Sequence, residues 1–160
     1  MKIRYKSIGR IHTPFRKIKG MPIQSRDSKG IKGTIELKKK FVKGLPDLEK
    51  FSHIYLIYHF HKSRGFDLKV IPFLDDKPHG IFATRAPKRP NHIGISVVKL
   101  ISIKDNILEI ENVDMLDGTP LLDIKPYISQ FDIHKIEKVG WINNKTGNPN
   151  EVISDNRFKK

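Results

Sequence analysis

The chain has no cysteine. Disulfides, thiolate nucleophiles and thiolate zinc sites are therefore excluded. Acidic residues are scarce, with 17 against 31 lysines and arginines, a formal net charge of +14. No apolar run is long enough to span a bilayer. The opening stretch "MKIRYKSIGRIHTPF" holds no apolar core of the kind that marks a secretory leader. We therefore expect a cytoplasmic protein with no membrane segment. No helical apolar pattern reaches three turns, and neither a 20–50-residue repeat nor a low-complexity tract occurs.

What is present is charge and short strands. A field of +14 attracts polyanions, nucleic acid first among them. The alternative is a lysine-coated surface of the thermophile type. A chain of 160 residues suits one domain, and at that length roughly 68–70% of the unfolded surface can be buried.

The apolar pattern is mostly that of strands. "KIRYKSIGRIH" alternates at Ile3 and Tyr5 and resumes at Ile8, with Gly9 read as a bulge. Residues 13–30 mix Pro, Gly, Lys, Arg and Ser and read as a long loop, of a length that is usually functional or mobile. "GTIEL" at 33–37 is a strand, and "GLPDLEKF" at 44–51 is one helical turn. "HIYLIYHF" at 53–60 is so continuously apolar that it predicts a strand buried on both faces. "KVIPF", "GIFAT" and "GISVVKLISI" follow as strands. "SVVKLISIK" and "ILEIENV" flank Asp105-Asn106, a two-residue hairpin loop. An Asp-Gly turn at 117–118 then leads into "LLDIKPYI". The tail from about 132 is polar, with Trp141 its only large apolar anchor. Many short strands with turn signals between them predict a mainly β chain: a small closed or nearly closed barrel over 1–131 and a short irregular C-terminal extension over 132–160.

The densest chemistry lies in "IFATRAPKRPNHIGIS", residues 81–96. Pro87 and Pro90 fix their own φ and restrict the residues before them. Asn91 can close a turn on its own backbone, and Gly94 permits a tight re-entry into the next strand. The result is a rigid crossing presenting Arg85 and Arg89, whose planar forks suit carboxylate or phosphate.

This stretch, followed by "LDGTPLLDIKPYI", resembles the TsaA-like (TrmO) family of S-adenosylmethionine-dependent tRNA N6-methyltransferases. The likeness extends to "IGRIHTPF", to "MPIQ" before "GTIEL", and to "GLPDLEKFSHIYLIYHFHKS", covering about residues 6–128 in order. His92 stands where that family usually has proline. The resemblance implies a TsaA-like β-barrel that forms a homodimer, with S-adenosyl-L-methionine near the subunit interface. It also implies tRNA as partner, with methylation of the exocyclic amine of threonylcarbamoyl-adenosine beside the anticodon. The sequence has no G-x-G-x-x-G after a strand, which argues against the doubly wound methyltransferase fold.

By the same resemblance, donor binding maps to Gln24, Ser25 and Arg26 in the first loop, to His61 and Lys62, and to Arg85 and Ile95. Asp114 and the turn of Leu116, Asp117, Gly118 and Thr119 complete the set. The donor's carboxylate wants a cation, its ammonium and ribose want carboxylates, and its adenine wants apolar walls and backbone groups. Asp123, Lys125 and Tyr127 in "DIKPY" are the candidate catalytic groups. The strand period puts them on one face, opposite Leu122 and Ile124. Pro126 predicts an edge, or the loss of a strand partner, at that point.

Two other readings share some of these features. A non-catalytic RNA-binding barrel would share the charge. A metal-dependent phosphoesterase could use His59 and His61, with carboxylates from Asp67, Asp75 or Asp76; no metal is expected in the family reading. The Asp117-Gly118 pair could be only a turn, and Asp123 and Lys125 could simply pair with each other on the surface.

Overall fold

A computed structural model describes residues 1–25, 28–144 and 153–158. Its strands are β1 (Gly9–His12), β2 (Lys32–Leu37), β3 (His53–His59), β4 (Lys69–Val70), β5 (His79–Gly80), β6 (Ile93–Lys104), β7 (Ile107–Glu111) and β8 (Thr119–Pro126). A short α-helix, α1, spans Ser129–Asp132. Six strands close into an antiparallel barrel in the order β1-β2-β7-β6-β3-β8, and β4 and β5 form a separate two-stranded sheet.

Alternation explains the core. Ile11, Ile35 and Leu108 stand in register across β1, β2 and β7 and are fully buried. Ile54, Leu56 and Tyr58 of β3, Val98 and Leu100 of β6, and Leu121 of β8 fill the other side of the barrel. Truncating Leu56 to alanine would cost about 2–5 kcal/mol. The long hairpin between β6 and β7 turns at Asp105, whose φ is 54°, and the Asn106 side-chain amide donates to the Leu37 carbonyl at 2.8 Å.

The structure corrects several sequence expectations, among them "KVIPF", whose strand is only Lys69–Val70. Ile3 and Tyr5 do not extend β1; they are 62% and 70% exposed, and the strand begins at Gly9. Gly9 is not a bulge but a close approach: a Cβ there would meet the Glu36 carbonyl oxygen at 2.6 Å. β3 is not buried on both faces, because Ile54, Leu56 and Tyr58 point inward while His53, Tyr55, Ile57 and His59 stay half-exposed outside. "GIFAT" is not a strand. After β5 it coils into a 3-10 turn over Ile81–Ala83, with Thr84 bonding back to the Ile81 carbonyl.

β8 bears out part of the reasoning about Pro126. It pairs with β1 over Thr119–Leu121 and with β3 as far as Pro126. A register shift between Ile57 and Tyr58 places Leu122 at a bulge. Beyond Leu121 the β1 ladder has ended, so among the described residues this half of β8 has one free edge.

Candidate functional site

Antiparallel topology brings three loops to one end of the barrel. They are the segment after β1, the long segment between β3 and β6 that contains the β4–β5 sheet, and the segment between β7 and β8. All but one of the described donor candidates sit on this rim. Arg85 is exposed, and its Nη1 donates to Gln24 Oε1 at 2.8 Å, joining the first loop to the second. Arg89 has a different task. Its Nη1 donates to the Ile81 and Thr84 carbonyls at 3.1 and 2.8 Å, so it clamps the turn that presents Arg85.

Asp114 is the most distinctive group. Ser96 Oγ donates to its Oδ1 at 2.7 Å, and the Tyr58 hydroxyl lies 3.0 Å from that Ser96 oxygen. A serine hydroxyl has one proton, so with Ser96 donating to Asp114, Tyr58 must donate to Ser96. Burial pushes the Asp114 carboxyl up to about 6, although the Ser96 hydroxyl, the Asp114 and Ser25 amides and the Arg85 guanidinium all pull it down. The Tyr58 phenol is raised by burial and by the charge of Asp114. Gly94 makes this geometry possible, since a Cβ there would lie 2.4 Å from the Tyr58 ring. Its value is space rather than the tight turn the sequence suggested.

The turn "LDGT" is a real turn. Gly118 has φ +77°, its amide donates to the Ile11 carbonyl at 2.9 Å, and Thr119 Oγ1 donates to the Leu116 carbonyl at 2.7 Å. Asp117 accepts from the Thr13 amide at 3.2 Å and is paired with Arg16 and with His12. Burial opposes its ionisation, but the Thr13 amide, Arg16 and His12 hold the carboxyl below its usual range. Asp117 thus ties the turn to the first loop, leaving Asp114 as the carboxylate beside Arg85. His61 Nδ1 lies 3.4 Å from Thr119 Oγ1, and burial, aided by Lys62, His59 and Arg10, lowers its pKa. Lys62 is exposed next to it. Arg26 lies outside the described residues.

The remaining candidates are elsewhere. Ile95 points outward from β6, 53% exposed and opposite Ile57. Asp123 and Lys125 share this outer wall, paired with Ile57 and Tyr55 and bonded to each other at 2.9 Å. Ile124 packs on the core, as the period required. Tyr127 lies at the opposite end of the barrel, against Tyr55 with ring centroids 5.5 Å apart. From Thr119 to Asp123 the strand climbs about 13 Å, so one chain does not bring Asp123, Lys125 and Tyr127 to the Arg85–Asp114 rim. His59 faces His92 at 6.0 Å between ring centroids, while His61 turns to Thr119. Among the described residues no three His, Asp or Glu side chains cluster to hold a metal, and no helix is long and apolar enough to cross a membrane.

Sequence reasoning missed Ser96, Tyr58, Thr13 and Arg16. The one available signal was Gly94 two positions before Ser96, which leaves room for a ring from the neighbouring strand.

Fold and site together define a small antiparallel barrel whose rim carries an arginine and a poised carboxylate, a class distinct from the doubly wound nucleotide-binding domains. The tRNA-methyltransferase O N-terminal domain profile matches residues 10–133, and the chain belongs to that family. A probable S-adenosyl-L-methionine-binding protein of Pyrococcus abyssi is 51% identical over 154 residues, 96% of this chain and 84% of its own length. The human tRNA (adenine(37)-N6)-methyltransferase is 33% identical over 132 residues, 78% of this chain but 30% of its own. The crystal structure of TrmO from Pseudomonas aeruginosa superposes with a TM-score of 0.75 at 36% identity, over 88% of this chain and 63% of that one. The chain therefore spans less than two thirds of the length of these last two relatives.

Proposed function

We propose that this protein is an S-adenosyl-L-methionine-dependent tRNA methyltransferase acting on the exocyclic amine of the adenosine beside the anticodon, with threonylcarbamoyl-adenosine as the preferred target. The observation that carries the reading is the rim pair of Arg85 and Asp114: an exposed guanidinium tethered at one corner to Gln24, and beside it a carboxylate whose pKa burial raises, both held on one end of a family barrel. These charges suit the amino-acid part of the donor, carboxylate on Arg85 and ammonium on Asp114. Gln24 and Ser25 orient the pair from the first loop. His61, Lys62 and the Leu116–Thr119 turn supply walls and backbone groups for the nucleoside, and Arg26 belongs with them by its place in the sequence.

When bound, the donor supplies a methyl group made electrophilic by its sulfonium. The chain's own contribution is alignment, which in favourable geometry lowers a barrier by about 7–11 kcal/mol. The acceptor nitrogen must also lose a proton. Asp123, Lys125 and Tyr127 are proposed for the acceptor side, and because they lie off the rim, they act from a second copy. A homodimer is supported by the outer wall of β3 and β6, where Tyr55, Ile57, Ile93, Ile95 and Val97 form an outward apolar stripe. Ile95 then meets the donor at the seam. A cytoplasmic location follows from the substrate class.

The test is methyl transfer from labelled donor to tRNA, with the product nucleoside identified. Label on the adenosine beside the anticodon supports the reading; tRNA binding with no transfer would favour the RNA-binding barrel.

A further inference from the structure

Trp141 is not the tail's only large apolar anchor: Phe158 is buried as well, and the C-terminal segment packs where its mostly polar composition gave no reason to expect it. Ser154 is 7% exposed. Its amide donates to the Met21 carbonyl at 2.8 Å, its carbonyl accepts from the Gly20 amide at 2.8 Å, and its Oγ accepts from the Met21 amide at 2.9 Å while donating to the Ile18 carbonyl. Pro22 and Ile153 form a β-bridge. These contacts hold the first loop just ahead of Gln24 and Ser25.

Four residues later the same segment enters the second loop. Phe158 is 8% exposed in a small core with Val70, Ile81 and Ala86, and meets Phe73 edge-on at 5.1 Å. Ala86 adjoins Arg85. Arg157 Nη1 donates to the Pro72 carbonyl at 2.6 Å, and its guanidinium lies over the Phe73 ring. Upstream, Trp141 stacks on His79 and its Nε1 donates to the Ala83 carbonyl at 2.8 Å.

The two loops so joined are those that meet through the Arg85–Gln24 hydrogen bond. Neither belongs to the barrel ladder, so ordering them for a ligand carries a conformational-entropy cost. A segment that orders them beforehand removes that cost from binding. The family match ends at residue 133, so this strap lies outside it, while the likeness to the Pyrococcus relative spans 154 residues.

We infer that residues 153–158 are a positioning element of the donor site, with Ser154 fixing the Gln24 loop and Phe158 fixing the Arg85 loop. The inference rests on the proposed donor site at Arg85 and Gln24. Its action is on donor affinity and not on the chemical step, because its hydrogen bonds and packing go to the backbone and apolar side chains of the two loops.

The experiment is calorimetric titration of S-adenosylmethionine into the full chain and into Ser154→Ala, Phe158→Ala and Phe158→Leu, with tRNA methylation at saturating donor measured alongside. Ser154→Ala and Phe158→Ala should each raise the donor Kd about 10-fold or more through lost preorganisation. Their kcat at saturating donor should stay within about two-fold of the native value, and Phe158→Leu should recover most of the affinity. Donor Kd within about two-fold of native in the folded variants, or lost kcat at unchanged Kd, overturns the inference. If Phe158→Ala does not fold, Ser154→Ala decides alone. A native protein that binds no donor would instead refute the site on which the strap acts.

Discussion

Arg85 reaches across the rim to Gln24, Nη1 to Oε1 at 2.8 Å, and leaves the rest of its guanidinium exposed. An arginine tethered at one corner, on a turn stiffened by two prolines and clamped by Arg89, is presented rather than packed. Arg85→Ala should therefore leave the melting temperature nearly unchanged and weaken donor binding by about 2–5 kcal/mol, as removal of one partner of a charge pair does. Titration showing native donor affinity in a folded Arg85→Ala protein would remove Arg85 from the site.

Asp114 predicts a pH dependence of definite sign. Burial raises its folded pKa to about 6, above the ordinary aspartate value of 3.8. The folded state thus binds this proton more tightly than the unfolded one, and the group favours folding below pH 3.8 and opposes it as pH rises through about 6. Asp114→Asn should raise stability at pH 7, by on the order of 1–3 kcal/mol, and abolish that pH window in denaturant titrations. Donor affinity should move the other way: it should fall below about pH 6, where the carboxylate that meets the ammonium is lost. Pure destabilisation by Asp114→Asn would mean the carboxylate is structural.

The Tyr58–Ser96–Asp114 chain depends on Gly94. Gly94→Ala places a methyl 2.4 Å from the Tyr58 ring, and overpacking of that kind costs typically about 1–3 kcal/mol. The same variant should weaken donor binding, because the ring that carries the chain's first hydroxyl is displaced. Tyr58→Phe, which removes one hydrogen bond and keeps the ring, should cost only about 1 kcal/mol. Urea melts of the two variants separate packing from hydrogen bonding.

How much of this was legible beforehand differs by element. Alternation located β2, β6 and β7, and the Asp105-Asn106 turn between the last two, because each strand has one wet face and one dry face. It failed at "HIYLIYHF", where Tyr55 and Ile57 are apolar yet face outward. A stripe left bare in one chain reads in sequence like a core. It failed again at "GIFAT", where the β-rich residues Ile81 and Phe82 coil into a turn held by Thr84 and Arg89. The proline-stiffened loop marks Arg85 as presented, whereas the donor role of Arg85 and of Asp114 comes from family likeness. Their supports, Ser96 and Tyr58, lie 38 residues apart in sequence, and no local pattern links them. The strap was invisible because Ser154 and Phe158 sit in a polar tail whose value is wholly tertiary.

The +14 charge predicts a steep salt dependence for tRNA and almost none for the donor. Four to six phosphate contacts give a log K against log salt slope on the order of −3 to −5. A flat response would leave the lysines as surface coating.

The most direct test of the account is a single assay: transfer of labelled methyl from S-adenosylmethionine to tRNA with and without its threonylcarbamoyl group, by the native protein and by Arg85→Ala at the same donor concentration. The account predicts label on the exocyclic amine of the adenosine beside the anticodon, strongest when the threonylcarbamoyl group is present and lost in Arg85→Ala. Label on another nucleoside, or equal transfer by Arg85→Ala, would contradict it.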